Sequence, residues 1–306
     1  MTDTIDSATA ATSEVPYTRR ARYFDSGNAF NVVNSPVPGR VFDSERNQAL
    51  DAATATGFIL LDQSDALALP FPATTPLVLV AYGRIRAGEA LEHNAGASTV
   101  LTFVIAGGGC STQGNDVIDW AAGDVVCQPG DTPIRHQAGD ADCLLWLVTN
   151  APQLAQENFR PPAAEAALVQ AAYFPATEIA RQLDIAEAKL SGKLVAGLAV
   201  VLATERLEAI KNISPTLTLA MNQLAPGGAQ PAHRHNSVAV SLIVDGEGGY
   251  SLVDGERKDW APWLTTVTPP ESVHSHHNES SRRVNWLIVQ DGGLYYHCRT
   301  MGFHFE

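Results

Sequence analysis

The chain has 306 residues, 45% hydrophobic and 17% charged, the balance of a folded globular protein and long enough for two domains of about 100 to 150 residues each. Its formal net charge of -13 and pI near 5.1, with no run of Lys or Arg, exclude nucleic acid and anionic membrane surfaces as partners. A small anion is not excluded, because one Arg in a pocket outweighs distant, screened surface charge.

Residues 1–16 are polar and acidic with no apolar core, so they are expected to be a mobile tail rather than a secretory signal or membrane anchor. No apolar run approaches the roughly 18 residues needed to cross a bilayer. Cys110, Cys127, Cys143 and Cys298 show no Cys-x-x-Cys spacing and read as reduced thiols of a cytoplasmic protein. Residues 17 to 70 are mixed and are assigned to arms and edge strands of a first domain spanning 17–150. Alternating or β-branched runs follow: LVLVAYGRI at 77–85, TVLTFVI at 99–105 and CLLWLV at 143–148. Residues 151–195 change character, with Ala, Glu and Leu at helical spacing, and read as a helical connector. A second set of β runs lies in 196–306: TLTLAMNQL at 216–224, SVAVSLIV at 237–244 and VNWLIV at 284–289.

The two β regions align with each other. His93 and His233 lie 140 apart, His136 and His274 138 apart, and Trp146 and Trp286 140 apart. A Gly-rich turn follows each first His, ending at Gly109 in one copy and Gly248 in the other. One duplicated all-β unit explains these spacings.

Residues i and i+2 of a strand share a face, so His233 and His235 can reach one ion while Arg234 points away. His274, from a later strand, completes a set of three neutral nitrogen donors for one divalent ion, whose remaining positions stay open. Period-two geometry puts His276 on the ligand face as a pocket residue and His277 off it. The first copy keeps His93 and His136 but has Ala95 where the second ligand should be, so it is expected to be structural, covering an interface or shaping a pocket.

With these residues in view, the chain resembles the cupin superfamily, specifically a bicupin. The first cupin motif matches Gly227, His233, His235 and Gly246, and the second matches Pro269, His274 and Asn278. The text around these motifs is similar to the gentisate 1,2-dioxygenase family and its salicylate and hydroxynaphthoate relatives over about 75 residues. The resemblance implies two double-stranded β-helix (jelly-roll) barrels joined by the helical connector. It also implies Fe(II), or another divalent metal, and ring cleavage of a small hydroxylated aromatic acid with O2, in a homodimer or homotetramer. Ala239 and Val240 stand where many cupins have a glutamate ligand, which leaves the three-histidine site that resembles this family. Two departures stand out. The intact histidine set is C-terminal, whereas the family usually carries it in the N-terminal cupin. The usual Pro-Gly-Asp turn is Pro262, Trp263, Leu264.

Pocket candidates are Gln223, His276, Trp286, Gln290 and Tyr250, with Trp286 reading as core first because its spacing matches it to Trp146 in the metal-poor copy. No catalytic side chain beyond the metal ligands is expected. Arg84, Arg282 and Arg299 are unranked candidates to anchor a carboxylate. Two other functions fit the same residues: a metal-dependent lyase or isomerase acting on a small carboxylate or carbonyl, and a non-catalytic bicupin whose metal ties strands together.

Overall fold

The β-branched runs pair into antiparallel sheets whose inner faces meet. The protein is seen in a computed structural model that describes residues 9–10, 15–190 and 197–306. In the first barrel, a sheet ordered Ala90–His93, Ile134–Ala138, Gly108–Gln113, Asp116–Ala121 faces one ordered Ala172–Phe174, Val125–Gln128, Val100–Ala106, Cys143–Thr149, Leu79–Ile85, Gly57–Leu60. Leu91, Trp120 and Ala138 from one sheet pack on Ile85, Val104 and Leu145 from the other. In the second barrel, the sheet Leu198–Leu202, Thr218–Leu224, Val284–Gln290, Ala239–Asp245, Thr265–Thr268 faces Glu256–Asp259, Gly249–Val253, His274–Asn278, Ala229–His235, Phe303–Phe305. Its interior core holds Leu224, Ile243, Trp260, Leu264, Val284 and Trp286. The non-adjacent pairings make each unit a jelly roll.

The long strands read as continuous apolar runs because both their faces are buried. One face fills its own barrel, and the other joins a core shared between the two, including Tyr82, Phe103 and Trp146 of the first with Leu219, Met221 and Leu287 of the second. Across this junction Trp146 donates its indole N–H to Thr265 Oγ1 at 3.0 Å, and Tyr82 Oη donates to the Trp263 carbonyl at 2.6 Å. Trp146 therefore is not the counterpart of Trp286, despite the 140-residue spacing. Trp286 points into its barrel, whereas in the first barrel it is Leu145, one residue earlier, that points inward.

Residues 37–50 are not arms of the first barrel alone. The Phe42 amide donates to the Thr265 carbonyl (3.0 Å), the Val267 amide donates to the Arg40 carbonyl (2.8 Å), and Arg46 Nε donates to the Pro262 carbonyl (2.6 Å), all on the second barrel. Phe42, wholly buried, anchors this segment in the shared core. Gly57–Leu60 does form an edge strand of the first barrel. The connector contains helices Ala151–Glu157 and Ala176–Leu190, and between them Ala172–Phe174 adds a strand to the first barrel. Residues 1–36 form a separate unit in which Thr9–Ala10 pair with Arg22–Tyr23. Most of the tail expected over 1–16 lies outside the described residues.

Candidate metal centre

His233 and His235 sit on the strand Ala229–His235, and His274 begins the neighbouring strand His274–Asn278, directly opposite His233. All three are nearly buried, and their ligand nitrogens lie within 4.8 Å of one another. Each Nδ1 donates at 2.8 Å to a backbone carbonyl two residues away: His233 to Pro231, His235 to Ser237 and His274 to Ser272. A carbonyl can only accept, so each Nδ1 carries the proton and each Nε2 carries the lone pair that a metal would take. Burial lowers the pKa of all three, to about 4 for His274, so the imidazoles are neutral at neutral pH. Three oriented, neutral, convergent nitrogens fit a divalent first-row ion. Ala239 is buried at the position of the glutamate found in many cupins, so no carboxylate joins from there.

The facing sheet presents a ladder of inner-face residues to this triad. Thr218, Gln290 and Ala239 are register partners, as are Ala220, Ile288 and Ser241, and Asn222, Trp286 and Ile243. Gln290 Nε2 donates to the His235 Nε2 lone pair at 3.1 Å, so its carboxamide stands where an ion would bind and has to turn aside for one. Thr218, Ala220, Ile288 and Gln290 are partly exposed although they face inward, so solvent reaches the interior here.

Deeper in the barrel, Trp260 Nε1 donates to Ser251 Oγ (2.8 Å), which is 2.8 Å from His276 Nδ1. Indole can only donate, so the chain is satisfied when the serine proton goes to His276 Nδ1, leaving His276 Nε2 as a donor. The His276 ring lies 5.7 Å from that of His274 and 5.1 Å from Trp286. At the mouth, the C-terminal strand Phe303–Phe305 pairs with the ligand strand and stacks Phe303 5.0 Å from the His233 ring.

Gln290 and His276 are thus brought to the triad, and the other pocket candidates are placed elsewhere. Gln223 is on the outer face, donating to Asn285 Oδ1 (3.0 Å) in a groove with Leu198 and Pro231. Its neighbour Asn222 takes the inner position, because a one-residue slip in the pleat moves a side chain to the opposite face. Tyr250 is also outside, stacked 4.7 Å from His277 and covered by Arg257, because it is Ser251 that pairs with inward His276. Trp286, 1% exposed, is core packed on Trp260. No arginine candidate reaches the site: Arg84 is in the first barrel, paired with Asp142, Arg282 pairs with Glu247 at the surface, and exposed Arg299 caps the last helix. Asn222, Ser241 and Phe303 were missed. The alternation in FHF at the C-terminus was the one available signal for Phe303, and the other two depended on pleat parity.

The first barrel repeats part of this arrangement. Trp120 Nε1 donates to Ser111 Oγ (2.8 Å), which lies 2.7 Å from His136 Nδ1. Trp120, Ser111 and His136 precede Trp260, Ser251 and His276 by 140 residues each, so His136 is the counterpart of His276 and not of His274. Opposite His93 stands Ile134, where His274 stands opposite His233. The first barrel therefore lacks two ligands, at Ala95 and Ile134.

Residues 221–290, which contain all three histidines, match the cupin domain family model. This segment is a cupin domain. It is similar to gentisate 1,2-dioxygenase of Ralstonia sp, 39% identical over 93 residues, and to 5-aminosalicylate 1,2-dioxygenase of Comamonas sp, 31% identical over 87 residues. These matches cover 30% and 28% of this chain, and 26% and 23% of the relatives, so the likeness in sequence spans about a quarter of those proteins. In structure, the chain is similar to salicylate 1,2-dioxygenase of Pseudoaminobacter salicylatoxidans with gentisate, with a TM-score of 0.73 over 91% of this chain and 87% of that one at 12% identity. A cupin 2 barrel protein of Leptotrichia buccalis matches at a TM-score of 0.51 and 13% identity, over 82% of this chain and 96% of that one. The fold is that of a bicupin. The cupin turn that departs from Pro-Gly-Asp keeps its shape without glycine, with Trp263 at φ 66° and its amide donating to the Ile243 carbonyl at 2.6 Å. Among the described residues no helix is long and apolar enough to cross a membrane.

Proposed function

We propose that this protein is a non-haem Fe(II)-dependent dioxygenase that cleaves the ring of a hydroxylated aromatic acid of the gentisate or salicylate type. The observation that carries this reading is the set of three Nε2 lone pairs, each oriented through Nδ1, without a carboxylate ligand. It agrees with the activities named for the relatives that match this segment. Fe(II), when held by His233, His235 and His274, supplies a redox-active Lewis acid with open positions for a chelating substrate and O2.

The chain's own residues bind and orient. His276, tied through Ser251 to Trp260, presents a fixed donor toward the interior, and the Gln290 carboxamide faces whatever occupies the ion's open side. Phe303 offers an aromatic wall at the mouth, where stacking holds a ring. With no arginine candidate at the site, the chain's own hold on a substrate carboxylate would come from neutral donors such as His276 and Gln290. A purely structural metal fits less well, because the inner face beside the triad is open to solvent and, among the described residues, no fourth acidic ligand joins the set.

The test is oxygen uptake by protein reconstituted anaerobically with Fe(II), offered gentisate, salicylate, hydroxynaphthoate and aminophenol-type acids, with His235→Ala as control. Uptake with a ring-opened product, absent in the variant, is expected. One bound metal per chain with no uptake on any of them would instead favour non-oxidative metal chemistry.

A further inference from the structure

The first barrel keeps a cavity at the place where the second barrel has its triad. Leu79 pairs with Thr149 and Ala81 with Leu147, just as Thr218 pairs with Gln290 and Ala220 with Ile288 on the inner face of the second barrel. His93 and Ala95 complete the wall opposite, at the positions of His233 and His235. The cavity measures about 180 Å³. It exists because two of the residues that line it, Ala81 and Ala95, are small.

Its wall is largely apolar, built from Phe58, Leu60, Leu79, Ala81 and Leu147 with the exposed, uncharged Asn94 beside them, and no Lys, Arg, Asp or Glu lines it. Two polar atoms of the lining residues are buried without a partner, His93 Nε2 and Thr149 Oγ1. Thr149 is 8% exposed, and its strand neighbours leave the hydroxyl no acceptor. Orphaned buried polar groups are uncommon and ask for a partner that the chain itself does not provide. The Phe58 and His93 rings are 5.0 Å apart, so an aromatic surface flanks the polar atom. With Ala95 and Ile134 replacing two ligands, His93 alone does not make a metal site.

We propose that the first barrel binds one uncharged, single-ring phenol without a metal, its ring against Phe58, Leu60 and Leu147 and its hydroxyl shared by His93 Nε2 and Thr149 Oγ1. The size agrees: an engineered apolar cavity of about 150 Å³ in another protein takes up benzene, so this one accepts a ring with a hydroxyl. The charge agrees as well, since a carboxylate in this wall would be buried unpaired. The ligand class thus differs from the aromatic acid proposed for the second barrel, and the inference does not depend on the reaction there.

The experiment is a fluorine NMR titration of the full chain with 4-fluorophenol, metal-loaded and chelator-stripped, with 4-fluorobenzoate as the charged comparison. One saturable phenol site in both forms is expected, with 4-fluorobenzoate at least tenfold weaker in the stripped protein. Thr149→Val, which keeps shape and removes the hydroxyl, is expected to weaken the phenol about tenfold. Ala81→Leu is expected to fill the cavity and abolish binding, and retention of metal by each variant verifies its fold. If Ala81→Leu does not fold, Thr149→Val decides alone. No saturable binding, binding confined to the metal-loaded form, or unchanged binding in Thr149→Val would each overturn the proposal.

Discussion

Ile134 stands directly across the ladder from His93, in the place that His274 takes across from His233. Two side chains, Ile134 and Ala95, therefore separate the first barrel from a metal site. The double substitution Ala95→His, Ile134→His is predicted to raise the bound divalent metal by one equivalent per chain. Either single substitution leaves two nitrogens and is predicted to give weak binding at most. Metal analysis after dialysis checks this.

The Trp–Ser–His relay recurs in both barrels, so its value can be measured twice. Ser251→Ala leaves Trp260 Nε1 and His276 Nδ1 without partners, and is predicted to cost about 1–3 kcal/mol. Ser111→Ala is predicted to cost a similar amount through Trp120 and His136. Chemical denaturation of the two variants reports both values.

Stability without metal should fall in mild acid. Burial lowers the pKa of His274 to about 4 and of His136 to about 3, from an ordinary 6.5. The unfolded chain then takes up protons that the folded chain refuses, so stability present above pH 6.5 is lost as pH falls toward these values. His274 alone accounts for about 3 kcal/mol across that window. Asp291 acts in the opposite sense, because burial raises its carboxyl to about 6 and the folded state then holds that proton more tightly below this pH. Urea midpoints of stripped protein between pH 7 and 4.5 should therefore drop, and more steeply in Asp291→Asn.

Phe303 is 40% exposed, so its truncation removes little core. Phe303→Ala is predicted to shift stability by less than about 1 kcal/mol and to leave metal affinity unchanged. Affinity for an aromatic ligand at the triad is predicted to fall up to about tenfold, the worth of one stacking contact. Calorimetric titration of metal and of ligand separates the two effects.

The duplication, the β character and the convergence of His233, His235 and His274 are legible in the sequence because each rests on spacing that survives folding: a period of two within a strand and a repeat near 140 between copies. The repeat also identifies His136 with His276, since 138 breaks the interval that Ser111, Trp120 and His93 keep. What spacing does not reveal is which face of a strand looks inward when both faces are buried. Gln223 and Asn222 exchange roles for that reason, and Trp146 and Trp286 keep the interval while pointing to different cores. Pairing of residues 40–42 with Thr265 and Val267 is a long-range contact that no local pattern encodes. The charge of an arginine likewise says nothing about its partner, and Arg84 and Arg282 are already held by Asp142 and Glu247.

The most direct test of the metal centre is the ratio of tightly bound divalent metal to chain in the intact protein and in His274→Ala. One equivalent in the first and none in the second is predicted. Two equivalents in the intact protein, or one retained by His274→Ala, would contradict a single centre built on His233, His235 and His274.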